Sequence, residues 1–163
     1  MGACKKTSKI DILTQRQTYR NYIETEKETT KKHGDPTNNQ FVVWTFQNVD
    51  ADGEFAFVPS LKRFDAEMCF ECMLAYSKMT WQEVINGTHD KGKSKHHYLA
   101  PQSLSKKAVD RINKKGFNDK SDSLFSFALN NKVRVIGFRN GAVFQVVWYD
   151  AEHAFTESKK KHT

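Results

Sequence analysis

The sequence predicts an α+β domain, an antiparallel sheet of about four strands with two or three helices on one face. Three observations lead there. Phe41-Val42-Val43-Trp44-Thr45-Phe46 is dense in β-branched and aromatic residues and reads as a strand. From Leu61 to Tyr76 apolar residues recur every three or four positions, which is the helical period. The last third holds three apolar-rich runs separated by Asn-containing turns, the pattern of a meander.

Length and charge set the bounds. The chain has 163 residues, room for one ordinary domain. Hydrophobic residues make up 38% and aromatic ones 12%, so a core can be filled, while a mean hydropathy of −0.71 keeps much of the chain in water. The division expected is a polar arm or peripheral helix over 1–39, one α+β domain over 40–155 and a basic tail over 156–163. No apolar run reaches the ~18 residues of a membrane span, and Met1 to Leu13 lacks the apolar core of a signal peptide. A soluble, cytoplasmic protein with no membrane partner is expected. The opening Met1-Gly2-Ala3-Cys4 has Lys6 where an acylation signal needs Ser or Thr.

The net charge of +7 is concentrated. Lys91 to Lys120 holds nine basic and two acidic residues, and the other 133 residues sum to zero. Such a block reads either as a solvated helix face or as an anion-binding surface, and RNA or another nucleic acid is the partner it suits best.

In chain order, Asp50-Ala51-Asp52-Gly53 is a turn and Glu54 to Val58 a second short strand. Leu61, Phe64, Met68, Cys72 and Ala75 or Tyr76 mark a helix of about 17 residues. Thr80-Trp81-Gln82-Glu83 is a capping box that starts a short helix. His96 to Leu99 is extended, and Ser103 to Lys115 is a third helix, stopped by Gly116, with Leu104, Ala108, Val109 and Ile112 inward and the basic residues outward. Leu124–Leu129, Val133–Arg139 and Val143–Tyr149 form the meander. Two-residue loops at Asn130-Asn131 and Asn140-Gly141 set Phe127, Arg134 and Val147 side by side, and likewise Phe125, Ile136 and Gln145. The opposite, more apolar face, with Leu124, Val135, Phe144, Val146 and Trp148, takes the helices. The Arg134 face is left as the working surface.

Most motif matches dissolve on inspection. Cys69 and Cys72 spell CxxC on an amphipathic helix, with no second pair at zinc spacing, and the three cysteines are an odd number. Asn48 to Gly53 resembles the start of a calcium loop, but the twelfth position is Pro59 instead of Glu. Phosphate-cradling, dinucleotide and zinc-protease motifs are absent from the sequence, and no metal or cofactor is expected. What remains is His96, His97, Arg134, Arg139 and His153 in a basic, aromatic-bearing chain. Metal-free RNA cleavage needs a base for the 2′-OH proton, an acid for the leaving 5′-oxygen and cations around the phosphorus.

The order of a strand, a helical pair and a three-stranded meander resembles the RelE/ParE toxin fold. The stretch from Leu124 to Phe138 is similar to that family's core hairpin, and Val143 to Tyr149 with His153 to its final strand and terminal catalytic residues. The resemblance covers about 41–48 and 60–155, with the segment holding His96, His97 and the third helix as an insertion. It implies RelE-like topology, a toxin-antitoxin role and a cognate inhibitor protein as partner. Members of the ParE type are not ribonucleases.

Two functional readings follow. In the first, the chain is an RNA-binding, metal-independent endoribonuclease of toxin type. His153 with His96 or His97 supplies acid and base, Arg134 and Arg139 hold phosphate, Lys106, Lys107, Arg111, Lys114 and Lys115 form the backbone footprint, and Phe125 and Phe127 stack bases. In the second, it is a non-catalytic nucleic-acid-binding or host-interference protein of a mobile element, using the same surface without chemistry. Convergence of two histidines on the Arg134 face separates them.

Overall fold

The computed structural model describes residues 34–89 and 92–157. A compact unit begins at Thr37. The arm expected over 1–39 lies outside the described residues up to position 33, as does Cys4, and the tail does so from position 158.

The architecture is α+β, built on one five-stranded mixed sheet. Its strands are β1 (Val43–Thr45), β2 (His97–Tyr98), β3 (Leu124–Ala128), β4 (Arg134–Asn140) and β5 (Val143–Asp150), in the spatial order β1-β5-β4-β3-β2. The expected purely antiparallel sheet is corrected in one respect: β1 lies parallel to β5, with Val43 opposite Val143. The predicted strand over 54–58 is reduced to one bridge between Ala56 and Trp148.

Local chemistry explains the helices. In α1 (Ala66–Ser77) the Asp65 carboxylate caps the first turn, accepting from Met68 N–H at 2.9 Å. The helix therefore begins at Ala66, later than apolar spacing alone suggests. Helix α2 (Trp81–Asn86) carries the capping box read from the sequence, with Thr80 and Glu83 each accepting the other's backbone N–H. Helix α3 (Lys106–Lys115) is capped by Ser105 and ended by Gly116 at φ 71°. Val109, expected inward, is 37% exposed.

The sheet carries helices on both faces, not on one. Phe125, Phe127, Val135, Phe144 and Val146 pack with Met73 and Tyr76 of α1 and with Trp81 and Val84 of α2. Leu124, Ile136, Phe138 and Trp148 pack with Ala108 and Ile112 of α3, closed below by Phe55 and Phe155. Rings dominate both layers; Trp81, Phe125, Phe127 and Phe144 form a contiguous cluster with centroids 4.9–6.3 Å apart. Each such ring buries on the order of 150–250 Å², so these contacts carry much of the stability.

Register differs from expectation because of one side chain. Asn130 Oδ1 accepts from the N–H groups of Lys132 and Val133, at 2.8 and 2.7 Å, and Leu129 N–H reaches Val133 O at 3.0 Å. The β3–β4 loop is therefore Asn130 to Lys132, one residue longer than predicted. Side chains alternate, so a one-residue slip moves a strand's set to the other face. Arg134 thus stands opposite Ala128, and Phe125 and Phe127 lie on the opposite face from it. Between β4 and β5, Asn140 pairs with Val143 across a turn with Gly141 at φ 60°. A bulge at Ile136/Gly137 then shifts the ladder so that Arg134 pairs with Asp150. Uninterrupted, the register at the turn would have set Tyr149 there. Only glycine fits at 137, because a Cβ would stand 1.9 Å from Gln145 O.

Candidate functional site

The candidate site forms at the end of the sheet where β3 finishes and β4 begins. Strand β2 aligns His97 with Ser126, which puts His97 on the same face as Arg134. The chain leaving β5 brings His153 to the same place. There the Asp150 carboxylate, 2% exposed, accepts three backbone N–H groups: Glu152 and Ala154 on Oδ1 at 3.2 and 3.0 Å, and Phe155 on Oδ2 at 2.8 Å. This knot holds His153 at φ 57°, a left-handed conformation shared by no other non-glycine residue among those described.

Arg134 lies beneath. It is 94% buried, from a relative exposure of 6%. Its terminal nitrogens donate to main-chain oxygens, Nη1 to Asn130 at 2.7 Å and Val133 at 2.9 Å, and Nη2 to Asn131 at 3.4 Å. Nε has no hydrogen-bond partner. The guanidinium is thus fixed in place as a buried cation by neutral oxygens, and no ion pair joins it to a carboxylate among the described residues. Burial pulls its pKa down, against the pull of Asp150 and Tyr76.

The two imidazoles feel that cation and each other. Both reach solvent. The His97 pKa is lowered first by the protein packed against its inner edge, then by Arg134 and His153. That of His153 is lowered by the same desolvation and by Arg134, with Asp150 opposing. The arrangement is two exposed, electrostatically coupled bases above a buried positive charge. Such a pair suits proton transfer at an anionic centre.

The other predicted residues do not join it. His96 is 2% exposed on the opposite face, its Nδ1 accepting from Ala128 N–H at 3.1 Å and its ring packed on Tyr76 and Phe127. Burial, then Lys95, Arg134, His89 and His97, hold its pKa down to about 3, so it is a neutral core residue and no acid or base. Arg139 is a structural cation: Nε donates to Gly141 O, Nη1 to the Tyr98 hydroxyl, and Nη2 to Thr37 and Asn38, with the guanidinium 4.2 Å from the Trp81 ring. Phe125 and Phe127 are fully buried and cannot stack bases.

The α3 footprint is also thinner than the charge count implied. Lys107 pairs with Glu54, and Arg111 with the fully buried Asp50, which Lys115 approaches at 3.7 Å. Lys106 and Lys114 remain exposed without an ion pair among the described residues. The residues that sequence reasoning missed are the two buried aspartates. Asp50 also accepts from Trp148 Nε1 at 2.9 Å; burial pushes its pKa up, but the bonds from Arg111, Asp52 N–H and Trp148 outweigh this and hold it low. Its place in a calcium-like string hid that role. A sequence signal for Asp150 existed: a carboxylate closing an apolar strand just before a His-containing turn.

Cys69 and Cys72 are free thiols packed against Met73 and the Leu129 carbonyl, and burial pushes the Cys69 pKa up to about 12. No group of three or more metal-ligating side chains gathers among the described residues, and no described helix is long and apolar enough to cross a membrane. No protein-family model matches the chain, and no curated protein or solved structure matches it.

Proposed function

We propose that the chain binds RNA and cleaves it without a metal, His97 and His153 acting as the acid–base pair. The observation that carries this reading is the convergence of His97, His153 and Arg134 at one end of the sheet. In the reaction one imidazole takes the 2′-OH proton, the 2′-oxygen bonds to phosphorus, and the bond to the 5′-oxygen breaks as the other imidazole protonates it. The products are a 2′,3′-cyclic phosphate and a 5′-hydroxyl. Arg134 contributes positive potential beneath the phosphorane-like transition state. It does not clamp phosphate, since it is buried and three of its four terminal N–H groups already hold main-chain oxygens. The finer reading of the fold, RelE-like topology with toxin-type action in the cytoplasm and a cognate inhibitor protein, rests on the order of strand, helix pair and meander.

Cleavage of free single-stranded RNA in EDTA, and of ribosome-bound RNA in the magnesium that keeps the ribosome assembled, tests the reading. Acid–base groups typically contribute about 10²- to 10⁴-fold, so His97→Ala and His153→Ala should each slow cleavage by that order while binding persists. With both imidazole pKa values lowered, kcat/KM should follow a bell that peaks below about pH 6.5. The alternative, a non-catalytic nucleic-acid-binding or host-interference protein, draws on the deep burial of Arg134. Absence of cleavage in every RNA context would decide for it.

A further inference from the structure

With Lys107, Arg111 and Lys115 of α3 engaged by carboxylates and only Lys106 and Lys114 left without an ion pair among the described residues, a second group of unpaired lysines lies on another segment. Between α2 and β2, Thr88 bridges Ser94, His89 N–H donates to Lys93 O at 2.9 Å, and Lys95 N–H to Gly87 O at 2.8 Å. These bonds tie Lys93 and Lys95 into a narrow hairpin. Lys95 Nζ lies 5.7 Å from the centre of the Tyr76 ring, whose hydroxyl donates to Ala128 O at 2.6 Å. Ala128 is the residue opposite Arg134, so the hairpin stands at the sheet end that carries the candidate site. His96, next to Lys95 in the chain, feels Lys95, Arg134, His89 and His97, so these charges lie near one another.

Among the described residues, which leave out Asp90 and Lys91, acidic groups do little to cancel this charge. Lys93, Lys95, His89, His97 and His153 form no ion pair among the described residues. The Asp150 oxygens hold three main-chain N–H groups, and Glu152 is joined to Lys132. Lys95 precedes His97 by two residues, so the hairpin's charge adjoins the end of the sheet where the two histidines stand.

We propose that the Lys93–Lys95 hairpin, and not α3, is the surface that carries the phosphate backbone of an RNA strand to His97 and His153. This rests on the RNA reading above and names the path its substrate takes. Neither the Lys93 nor the Lys95 ammonium is held by a carboxylate among the described residues, so contact with a phosphate releases counterions without breaking an ion pair. A lysine bound to Glu54 or Asp50 must break one first.

The test is the salt dependence of binding of a fluorescent single-stranded RNA to the full chain. Each phosphate contact on a single strand contributes about 0.7 to the slope of log K against log salt. Lys93→Gln/Lys95→Gln should lower the slope by about 1.4, Lys93→Arg/Lys95→Arg should restore it, and Lys106→Gln/Lys114→Gln should leave it near the wild-type value. Lys93→Gln alone, which leaves the contact of Lys95 with Tyr76 intact, should remove about half of the effect. A hairpin variant with the wild-type slope beside an α3 variant with a reduced one overturns the proposal while leaving RNA binding intact. Wild-type protein that binds no RNA overturns the RNA reading itself, and the proposal with it. Equal competition by poly-glutamate would assign the patch to an acidic protein and overturn the proposal too.

Discussion

Replacing Asp150 by Ala removes the knot that presents His153, and its cost can be worked from the bonds lost. The carboxylate serves three backbone N–H groups. That of Phe155 is buried, and leaving it unpartnered costs about 1–3 kcal/mol, while the half-buried N–H groups of Glu152 and Ala154 can turn to water at about 1 kcal/mol each. The total is roughly 3–5 kcal/mol. For a domain of this size that lowers the melting temperature by roughly 10–20 °C. Asp150→Asn keeps one acceptor oxygen and should fall between. Because His153 then loses its left-handed φ, RNA cleavage at a temperature where both variants remain folded should fall further than RNA binding does. Thermal melts followed by circular dichroism, with cleavage assayed on the same samples, read both effects. If Asp150→Ala melts within about 3 °C of the wild type, the knot does not organise this turn and the argument fails.

Other outcomes follow from single contacts. His96 has a folded pKa of about 3 against 6.5 unfolded, so the unfolded chain binds the proton first as pH falls. The stability it contributes is complete above about pH 6.5 and is lost toward pH 3, amounting to about 2 kcal/mol between pH 7 and 5; urea melts across that range should show the slope, and His96→Gln should flatten it. Arg139→Ala should cost about 2–4 kcal/mol through its side-chain bonds and the Trp81 contact, yet leave the salt slope of RNA binding unchanged. Gly137→Ala forces a Cβ against the Gln145 carbonyl and should cost more than about 3 kcal/mol in a denaturant titration, or prevent folding.

Much of the local structure was legible because its signals are short-range. The Thr80–Glu83 box, the Gly116 stop and the three meander strands depend on residues within a few positions of one another. The trio of the candidate site was legible by residue type, but the wrong geometry carried it. The sequence reading set Arg134 beside Phe127, and the Asn130 side chain moved it to the other face. Such a slip is invisible to alternation, since both faces of these strands are apolar. The parallel β1, the bulge at Gly137 and the Arg111–Asp50 pair depend on partners up to about a hundred positions away. Charge counting thus overstated α3, where Arg111 answers a buried carboxylate 61 residues earlier.

The central claim is that His97 and His153 act as one unit, and a double-mutant cycle on RNA cleavage tests it most directly. Groups that share one proton-transfer step are strongly non-additive. The account predicts that His97→Ala/His153→Ala cleaves no more slowly than the weaker of the two single variants, with all three still binding RNA. Single losses that multiply in the double variant, or a single variant cleaving at the wild-type rate, would contradict it.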